Sequence, residues 1–427
     1  MNEDLQSEVF EDVKPLYFNR NFILIMSGRF VSLLGDSLHS FAVTWYIMEL
    51  FGKNSGGPLS IVLSLGTLPS LFLGPFTGVL ADRFDRRKIM MIMDITRGSL
   101  AIFLSYLVSI NQAPLWVLLV ITMLLSVCGS MYFPASGALF PNLVHKSTLL
   151  KANSVASFLG TFAALIGQPI SGQMYSIVNA KGAFFLNGLT YFFAAFMVFF
   201  VISPQVIKRI GLTPKKYFND LTEGFKFIWK TKALVAMLLF GGAVNLFFWP
   251  IQNIIQPLIG KQILAFEPSQ YTFFTMFFPA GMLLSTMLLQ FLPSPKKKHK
   301  FMLWSMFSQS IGLIILAIPI LPLFMQFRGE TSSFLYIYST ITLFRGLAFG
   351  FTNVPMQVVY QTLTPDEYRG RVFALQGTFF QSLIPLGMGI AGILINYFNE
   401  YTISIFSGVC MGIICLLMFK VKSIKEI

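Results

Sequence analysis

The sequence predicts an all-α membrane protein with twelve transmembrane helices in two pseudo-symmetric bundles of six. Of its 427 residues, 55% are hydrophobic and only 11% are charged, whereas a soluble domain carries roughly a quarter charged residues. The apolar residues also form continuous runs of about 20, the length that a helix needs to cross the hydrocarbon core. A segment surrounded by lipid must satisfy its own backbone hydrogen bonds, so continuous apolar runs indicate helices.

Twelve apolar runs divide the chain into five regions. A tail (1–21) precedes the first bundle (22–203), and a polar, basic linker (204–232) leads to the second bundle (233–420) and a short tail (421–427). The first tail is acidic and polar, so we expect no cleavable signal peptide. The predicted spans lie near 22–50, 59–81, 89–109, 114–134, 152–178, 183–203, 233–257, 271–292, 301–324, 334–361, 372–398 and 402–420.

The positive residues fall mostly on one side of these spans. Seven of the 31 Lys and Arg residues lie elsewhere, in the opposite loops or within spans: Lys53, Lys181, Lys261, Arg328, Arg29, Arg97 and Arg345. Because cytoplasmic loops are enriched in positive charge, we expect a multi-pass protein of the plasma membrane with both termini in the cytoplasm. The net charge of +13 is explained by this topology, and we expect no nucleic-acid partner.

The two halves show a weak internal repeat. One shift of the sequence aligns Gly167 with Gly387 and Gly172 with Gly392, at equivalent places in the two sets of spans. Parallel repeats of this kind place a binding site at the interface of the halves, near the midplane. One chain then supplies both halves, so we expect a monomer.

The loop after the second span carries the most specific motif. Residues 78–88 read GVLADRFDRRK, which resembles the G-x-L-A-D-R-x-G-R-[RK] signature of the major facilitator superfamily, with Asp85 in place of the usual glycine. Three further segments resemble the drug-efflux branch that includes macrolide-efflux proteins: DITRG (94–98), FPASGALFPNL (133–143) and YRGRV (368–372). The resemblance covers the chain beyond residue 20 and implies the major facilitator fold.

The same resemblance implies a gating motif that holds the cytoplasmic side closed. Its members are Gly78, Asp82, Arg83, Arg86 and Arg87. A carboxylate such as Asp82 can also sit against the positive end of a neighbouring helix, and the arginines can bridge to carboxylates or carbonyls of the adjoining half. The alternative is that the arginines only anchor the loop on the cytoplasmic side.

Span five contains Gly160, Gly167, Pro169 and Gly172. This spacing resembles a glycine-proline stretch associated with antiporters, although Gln168 separates the usual Gly-Pro pair. The resemblance favours export by antiport. The alternative is ordinary close packing of helices at small residues.

A polar stripe runs along span one. Arg29 and Asp36 are seven residues apart and share a helical face, Ser32 and Ser40 extend that face, and His39 flanks it. Charges within the bilayer are costly and mark functional cavities. We interpret Asp36 as a residue that binds and releases a proton, with Arg29 tuning its pKa. The alternatives are an Arg29–Asp36 pair that only stabilises packing and a His39 that is an ordinary polar core residue.

Span three holds a second candidate pair, Asp94 and Arg97, spaced i,i+3. The two residues lie in the first turns of the span. They could take part in proton coupling, or form a structural pair tied to Asp82.

The second half has neutral polar residues where the first has charges. Asn245, Trp249, Gln252 and Gln256 form one stripe on span seven, and Arg345 is the single charge within a span. Amides and an indole suit an amphipathic organic molecule, so we predict a substrate cavity here. The stripe could instead provide hydrogen bonds between helices, and Arg345 could bind an anionic group or neutralise a carboxylate of the first half.

The sequence lacks the motifs of other protein classes. It has no phosphate-binding GxxxxGK[ST] loop, no metal-ligand spacing and no nucleophile with a base partner, so we predict neither a cofactor, nor a metal site, nor an enzyme. The prediction is a proton-coupled exporter of hydrophobic or amphipathic compounds such as macrolide-like drugs, with protons, the small molecule and membrane lipids as its partners. An exporter of an endogenous metabolite such as a siderophore, a lipid flippase, and a membrane sensor or membrane-embedded enzyme are the alternatives.

Overall fold

The computed structural model describes residues 19–145, 148–202, 214–291, 298–325 and 331–421. Helices make up nearly all of these ranges, and no strand occurs within them. The predicted all-α fold class is confirmed. The long helices are α1 (Arg20–Phe51), α2 (Gly56–Arg83), α3 (Arg86–Ser109), α4 (Leu115–Leu139), α5 (Leu149–Phe199), α6 (Pro214–Lys230), α7 (Lys232–Pro250), α8 (Pro268–Thr275), α9 (Phe277–Phe291), α10 (Lys298–Ala317), α11 (Thr331–Leu363), α12 (Asp366–Leu394) and α13 (Glu400–Met418).

Short helical turns complete the described chain. Helix α7 continues past its proline as π-helix at Ile251–Ile255, a short α-helical piece at Gln256–Leu258, and π-helix again at Ile259–Ile263. Such π-helical turns are rare and often occur at functional sites. The remaining short pieces are Gly52–Asn54, Phe140–Leu143, Ile318–Ile320 and Pro322–Met325.

Ten helical stretches in the described ranges are long and apolar enough to cross a membrane. One of them, Lys151–Phe199, is 49 residues long and covers predicted spans five and six, which meet at Asn179, where φ is 57° and ψ is −173°. Helix α1 is not among the ten, because its polar stripe lowers its mean hydropathy. The multi-pass architecture is confirmed, and the number of twelve spans stays a prediction.

The structure adds one helix that the sequence reading did not include. The linker 204–232 was predicted only as a polar, basic segment, yet α6 occupies Pro214–Lys230 within it. Its apolar residues are interleaved with lysines at helical spacing, so the helix could have been recognised from its periodicity.

The chain divides into two compact units. One contains the described residues of Met1–Val43 and Thr67–Leu212, and the other those of Thr44–Gly66 and Thr213–Ile427. We refer to them as unit 1 and unit 2. The segment 44–66, which includes the end of α1 and the beginning of α2, therefore belongs to the same unit as the second half of the chain.

Unit 1 is held together by close contact of α3 with α5. A Cβ atom placed on Gly98 would lie 3.1 Å from the carbonyl oxygen of Gly188, and one on Gly188 would lie 3.0 Å from that of Gly98. Small residues allow such an approach between membrane helices, where hydrophobic surface alone drives little association. This approach brings residues of α3 and α5 into one buried layer.

Unit 2 uses the same device between α9 and α11. A Cβ atom on Gly281 would lie 2.7 Å from the backbone nitrogen of Leu347. Helix α12 likewise packs against α7, where a Cβ on Gly387 would lie 3.0 Å from the ring of Pro250. These contacts arrange α7, α10, α11 and α12 so that polar residues of all four line one cavity.

Candidate functional site

A buried ionic cluster lies within unit 1. The Arg97 guanidinium is 3.6 Å from a carboxylate oxygen of Asp94, and both side chains are almost completely buried. The guanidinium also lies over two tyrosine rings, 4.7 Å from the centroid of Tyr132 and 5.1 Å from that of Tyr191. Cation–π contacts of this kind are most favourable when the cation is desolvated.

Tyr191 connects this cluster to Asp36. Its hydroxyl donates a hydrogen bond to the Asp36 carboxylate, and Arg97 interacts electrostatically with Asp36 as well as with Asp94. Neither oxygen of Asp94 accepts a hydrogen bond among the described residues. Two carboxylates therefore interact with the one guanidinium of Arg97, so these three groups can take up one proton without acquiring excess positive charge.

The structure brings together three of the residues predicted for proton coupling, Asp36, Asp94 and Arg97. Arg29 forms no ion pair with Asp36 among the residues that the structure describes. His39 packs edge-on against the ring of Phe184, with centroids 5.4 Å apart, and its nitrogens have no hydrogen-bond partner in the described part of the chain.

The two serines of the polar stripe on span one differ in their burial. Ser32 is buried, whereas Ser40 is exposed. Sequence reasoning missed Tyr132 and Tyr191, because a tyrosine in an apolar span has no distinguishing signal until its hydroxyl has a partner.

The loop motif owes part of its geometry to Asp85, the residue that departs from the family signature. Its carboxylate accepts hydrogen bonds from the backbone nitrogens of Arg87 at 3.0 Å and Lys88 at 3.3 Å, so it is the N-cap of α3. An aspartate at this position satisfies backbone donors that the first helical turn leaves free. The departure from glycine thus has a local structural reason.

Arg86 and Arg87 bind helix ends of unit 1. The Arg86 side chain donates to the carbonyl of Ala138 at 2.9 Å. Arg87 donates to the carbonyl of Val198 at 3.2 Å and also to that of Phe199. Cations at the C-terminal ends of helices meet carbonyls without intrahelical partners and a favourable helix dipole.

The other members of the predicted gating motif are only partly described. Gly78, Asp82 and Arg83 lie in the last turns of α2, but the structure describes only their helical backbone. Their gating role stays a prediction.

The glycine-proline stretch lies on α5. A Cβ on Gly167 would lie 2.6 Å from the hydroxyl of Ser37, so this glycine allows α1 and α5 to approach closely. Around Gly160 there is open space. Pro169 lies inside the helix, and Gly172 is buried.

Unit 2 contains a cavity of about 240 Å³. No charged residue occurs among those that line it. Its walls combine carboxamides, one indole and apolar side chains, which suits an uncharged or amphipathic molecule. The lining residues are Gly241, Val244, Asn245, Trp249, Met306, Gln309, Phe349, Thr352, Asn353, Met356, Gln357, Gly377, Phe380, Gln381 and Ile384.

Two cavity residues were predicted from the sequence, and they bind each other. The Trp249 indole donates to the Asn245 side-chain oxygen at 2.7 Å, and the Asn245 amide donates to the carbonyl of Gly241 at 2.8 Å. Gln309 differs from them, because it is 1% exposed and neither its nitrogen nor its oxygen has a hydrogen-bond partner among the described residues. The sequence reading missed Gln309, Asn353, Gln357 and Gln381, although amides in apolar spans nine, ten and eleven were a usable signal.

The rest of the predicted stripe has a different role in the structure. Arg345 is 1% exposed, and its guanidinium donates to the side-chain oxygens of Gln256 at 3.2 Å and Gln252 at 3.3 Å. It also lies over the Phe248 ring at 5.4 Å. Gln252, Gln256 and Arg345 are not among the residues that line the cavity. Both glutamines follow Pro250, Gln252 in the first π-helical turn and Gln256 in the short α-helical piece.

The described residues contain no group of three or more His, Cys, Asp and Glu side chains that could hold a metal ion. The two sites of interest are therefore an ionic cluster in unit 1 and an uncharged cavity in unit 2. Buried charges in one helical bundle and a polar–aromatic cavity in the other are features of proteins that move solutes through membranes.

The chain belongs to the Major Facilitator Superfamily, whose family model matches residues 25–388. It is a transporter of small molecules and not an enzyme. It is 25% identical over 406 residues to macrolide efflux protein A of Streptococcus pyogenes, covering 94% of this chain and 97% of that protein. It is 21% identical over 421 residues to multidrug efflux pump Tap of Mycobacterium bovis, covering 95% of this chain and 94% of that pump.

Solved structures agree on the fold. A crystal structure of a bacterial homologue of the iron transporter ferroportin, in an inward-facing state, aligns with a TM-score of 0.73 at 14% identity. The alignment covers 94% of this chain and 99% of the other. At this identity the similarity extends to the fold alone.

Proposed function

We propose that the protein is a proton-coupled antiporter that exports hydrophobic or amphipathic small molecules, with macrolide-like drugs as one candidate class. It would act by alternating access in the plasma membrane, with both termini in the cytoplasm. The observation that carries the proposal is the unit 1 cluster, in which the Arg97 guanidinium pairs with Asp94 and also interacts electrostatically with Asp36, the acceptor of the Tyr191 hydroxyl. The efflux names of the relatives support the direction of transport.

The geometry favours Asp36 as the proton carrier. Asp94 faces Arg97 as a close ion pair in the core, so Asp36 is the carboxylate in excess. A proton on Asp36 would leave the Asp94–Arg97 pair as a neutral unit, which is the least costly charge state for a buried cluster. Part of Asp36 also remains accessible at the surface of the unit, whereas Asp94 is fully buried.

The unit 2 cavity supports the substrate class. Its carboxamides can donate and accept hydrogen bonds, whereas its aromatic and methionine side chains adapt to apolar shapes. A metabolite or a lipid could meet the same surface, so the substrate must be identified by transport.

The test is efflux of ethidium and of a macrolide from cells that express the wild type, Asp36→Asn or Glu367→Gln. Glu367 is an exposed carboxylate outside the cluster and provides the matched control. We expect the wild type and Glu367→Gln to extrude at least one compound, and a protonophore to abolish this. Asp36→Asn should reach the membrane but fail to extrude.

Two results would contradict the proposal. Transport by Asp36→Asn at the wild-type rate would remove Asp36 from the coupling. Failure of well-expressed wild type to move either compound would exclude these drugs and direct the search to endogenous metabolites or lipids.

A further inference from the structure

Helix α6 is firmly attached to the beginning of α12. The Glu223 carboxylate forms an ion pair of 2.7 Å with Arg371, and the rings of Phe227 and Tyr368 stack with centroids 4.6 Å apart. A Cβ on Gly224 would lie 2.9 Å from the Cβ of Arg371. One face of α6 is therefore fixed against a long helix of unit 2.

A neighbouring face of α6 carries two exposed aromatic side chains, Phe225 and Trp229. Phe225 is 53% exposed and Trp229 is 68% exposed. They are spaced i,i+4, and their rings stack with centroids 5.7 Å apart. Exposing two large aromatic side chains to water is unfavourable, so this patch indicates a surface that another phase or partner covers.

The position of α6 in the chain indicates that the membrane covers this aromatic surface. Only Thr231 separates the end of α6 at Lys230 from α7, and the stretch Lys232–Ile263 is apolar enough to cross a membrane. Trp229 is three residues before this stretch, so it lies close to the point where we expect the chain to enter the bilayer. Tryptophan is enriched at this depth, where its ring meets the headgroups.

A basic stripe adjoins the aromatic patch. Lys226 and Lys230 follow Phe225 and Trp229 by one residue each, a rotation of about 100° around the helix, and both lysines are exposed. The acid among the described side chains of α6 is Glu223, and it is paired with Arg371. An apolar face bordered by exposed lysines is typical of a helix that lies in the membrane interface.

We propose that α6 is an interfacial helix that docks on anionic phospholipid headgroups. Phe225 and Trp229 would enter the headgroup–acyl boundary, while Lys226 and Lys230 contact the phosphates. This inference is independent of the transported substrate and of the coupling ion.

The test measures quenching of Trp229 by lipid. The full-length protein and its Trp229→Phe variant are reconstituted into vesicles of phosphatidylglycerol and phosphatidylcholine, with brominated acyl chains on one lipid at a time. The difference between the two proteins isolates the fluorescence of Trp229. We expect brominated phosphatidylglycerol to quench this fluorescence more strongly than brominated phosphatidylcholine.

Paired lysine variants test the role of charge. In Lys226→Gln/Lys230→Gln, the preference for phosphatidylglycerol should fall by about fivefold per lysine removed. The matched control, Lys300→Gln/Lys420→Gln, removes two exposed lysines elsewhere and should retain the preference.

The proposal is wrong if acrylamide in the aqueous phase quenches Trp229 while neither brominated lipid does. Equal quenching by the two lipids in the wild type would likewise overturn the preference for anionic headgroups.

Discussion

Two buried sites in this transporter contain a polar group whose charge or hydrogen bonds the described residues do not fully satisfy. Arg97 interacts with two carboxylates, Asp36 and Asp94, and Gln309 lines the cavity with an amide that has no hydrogen-bond partner among the described residues. A buried polar group without a partner costs about 1–3 kcal/mol. Buried polar groups of this kind are found at functional sites, where a bound ligand or proton supplies the missing partner.

Arg97 provides the first prediction at this scale. Arg97→Gln leaves Asp94 as an unpaired buried charge, which destabilises a protein by about 3–5 kcal/mol. We expect a clear fall in the thermal unfolding midpoint in detergent. Adding Asp94→Asn removes the unpaired charge, so the double variant should recover most of the loss. An unchanged midpoint in Arg97→Gln, or no recovery in the double variant, would contradict the ionic role of the pair.

Gln309 provides the second prediction. Gln309→Leu has a similar size and removes the unpaired amide, so the unfolding midpoint should stay the same or rise. Affinity for a transported compound should fall about tenfold, the effect of one lost hydrogen bond. Met306→Leu, at another cavity position, should alter neither quantity. A lower midpoint in Gln309→Leu together with unchanged affinity would show that the amide is structural.

At the scale of elements, the short π-helical stretch at Ile259–Ile263 connects the segment 44–66 to the rest of unit 2. Lys261, at the end of the π-helical stretch, donates to the Trp45 carbonyl at 3.1 Å, lies 4.5 Å from the centroid of the Trp45 ring and is 3.5 Å from Glu49. The next residue, Gln262, donates to the carbonyl of Gly52 and to the hydroxyl of Ser55. These contacts attach the segment 44–66 to the second half of the chain.

Lys261→Met should therefore loosen that segment. The variant loses a cation–π contact of about 0.5–1 kcal/mol and a hydrogen bond of about 1 kcal/mol. Hydrogen–deuterium exchange followed by mass spectrometry should show faster exchange in peptides that cover 48–60. Lys181→Met, at an exposed lysine of unit 1, should leave this exchange unchanged, and equal exchange in both variants would argue against the attachment.

At the scale of the whole molecule, topology follows from charge and hydropathy. Ten stretches in the described ranges satisfy the requirements of a membrane span. Counting helix α1 and separating α5 at Asn179 would give twelve, the number that stays a prediction. The sidedness of the chain depends on the distribution of its lysines and arginines.

Cysteine labelling tests this topology in intact cells. In a variant without the three native cysteines, single cysteines replace exposed lysines. A membrane-impermeant maleimide should label Lys53→Cys and Lys181→Cys, whereas Lys230→Cys and Lys300→Cys should react only after the membrane is permeabilised. Labelling of Lys230→Cys from outside would contradict the predicted orientation.

The amino-acid sequence alone determined the fold class and marked the charged residues of the ionic cluster, although it paired Asp36 with Arg29 and not with Arg97. Long apolar runs permit few structures in lipid, and a charge in such a run is costly enough to stand out, which is why Asp36, Asp94 and Arg97 were found without coordinates. Only the tertiary structure decided which neutral residues belong to the ionic cluster and to the cavity. Tyr191 and Gln309 became recognisable through partners, or the lack of them, that lie far away in the chain. The stripe on span seven likewise divides into cavity residues and the two glutamines that bind Arg345, because helical spacing gives the face of a helix but not the neighbours that lie along it.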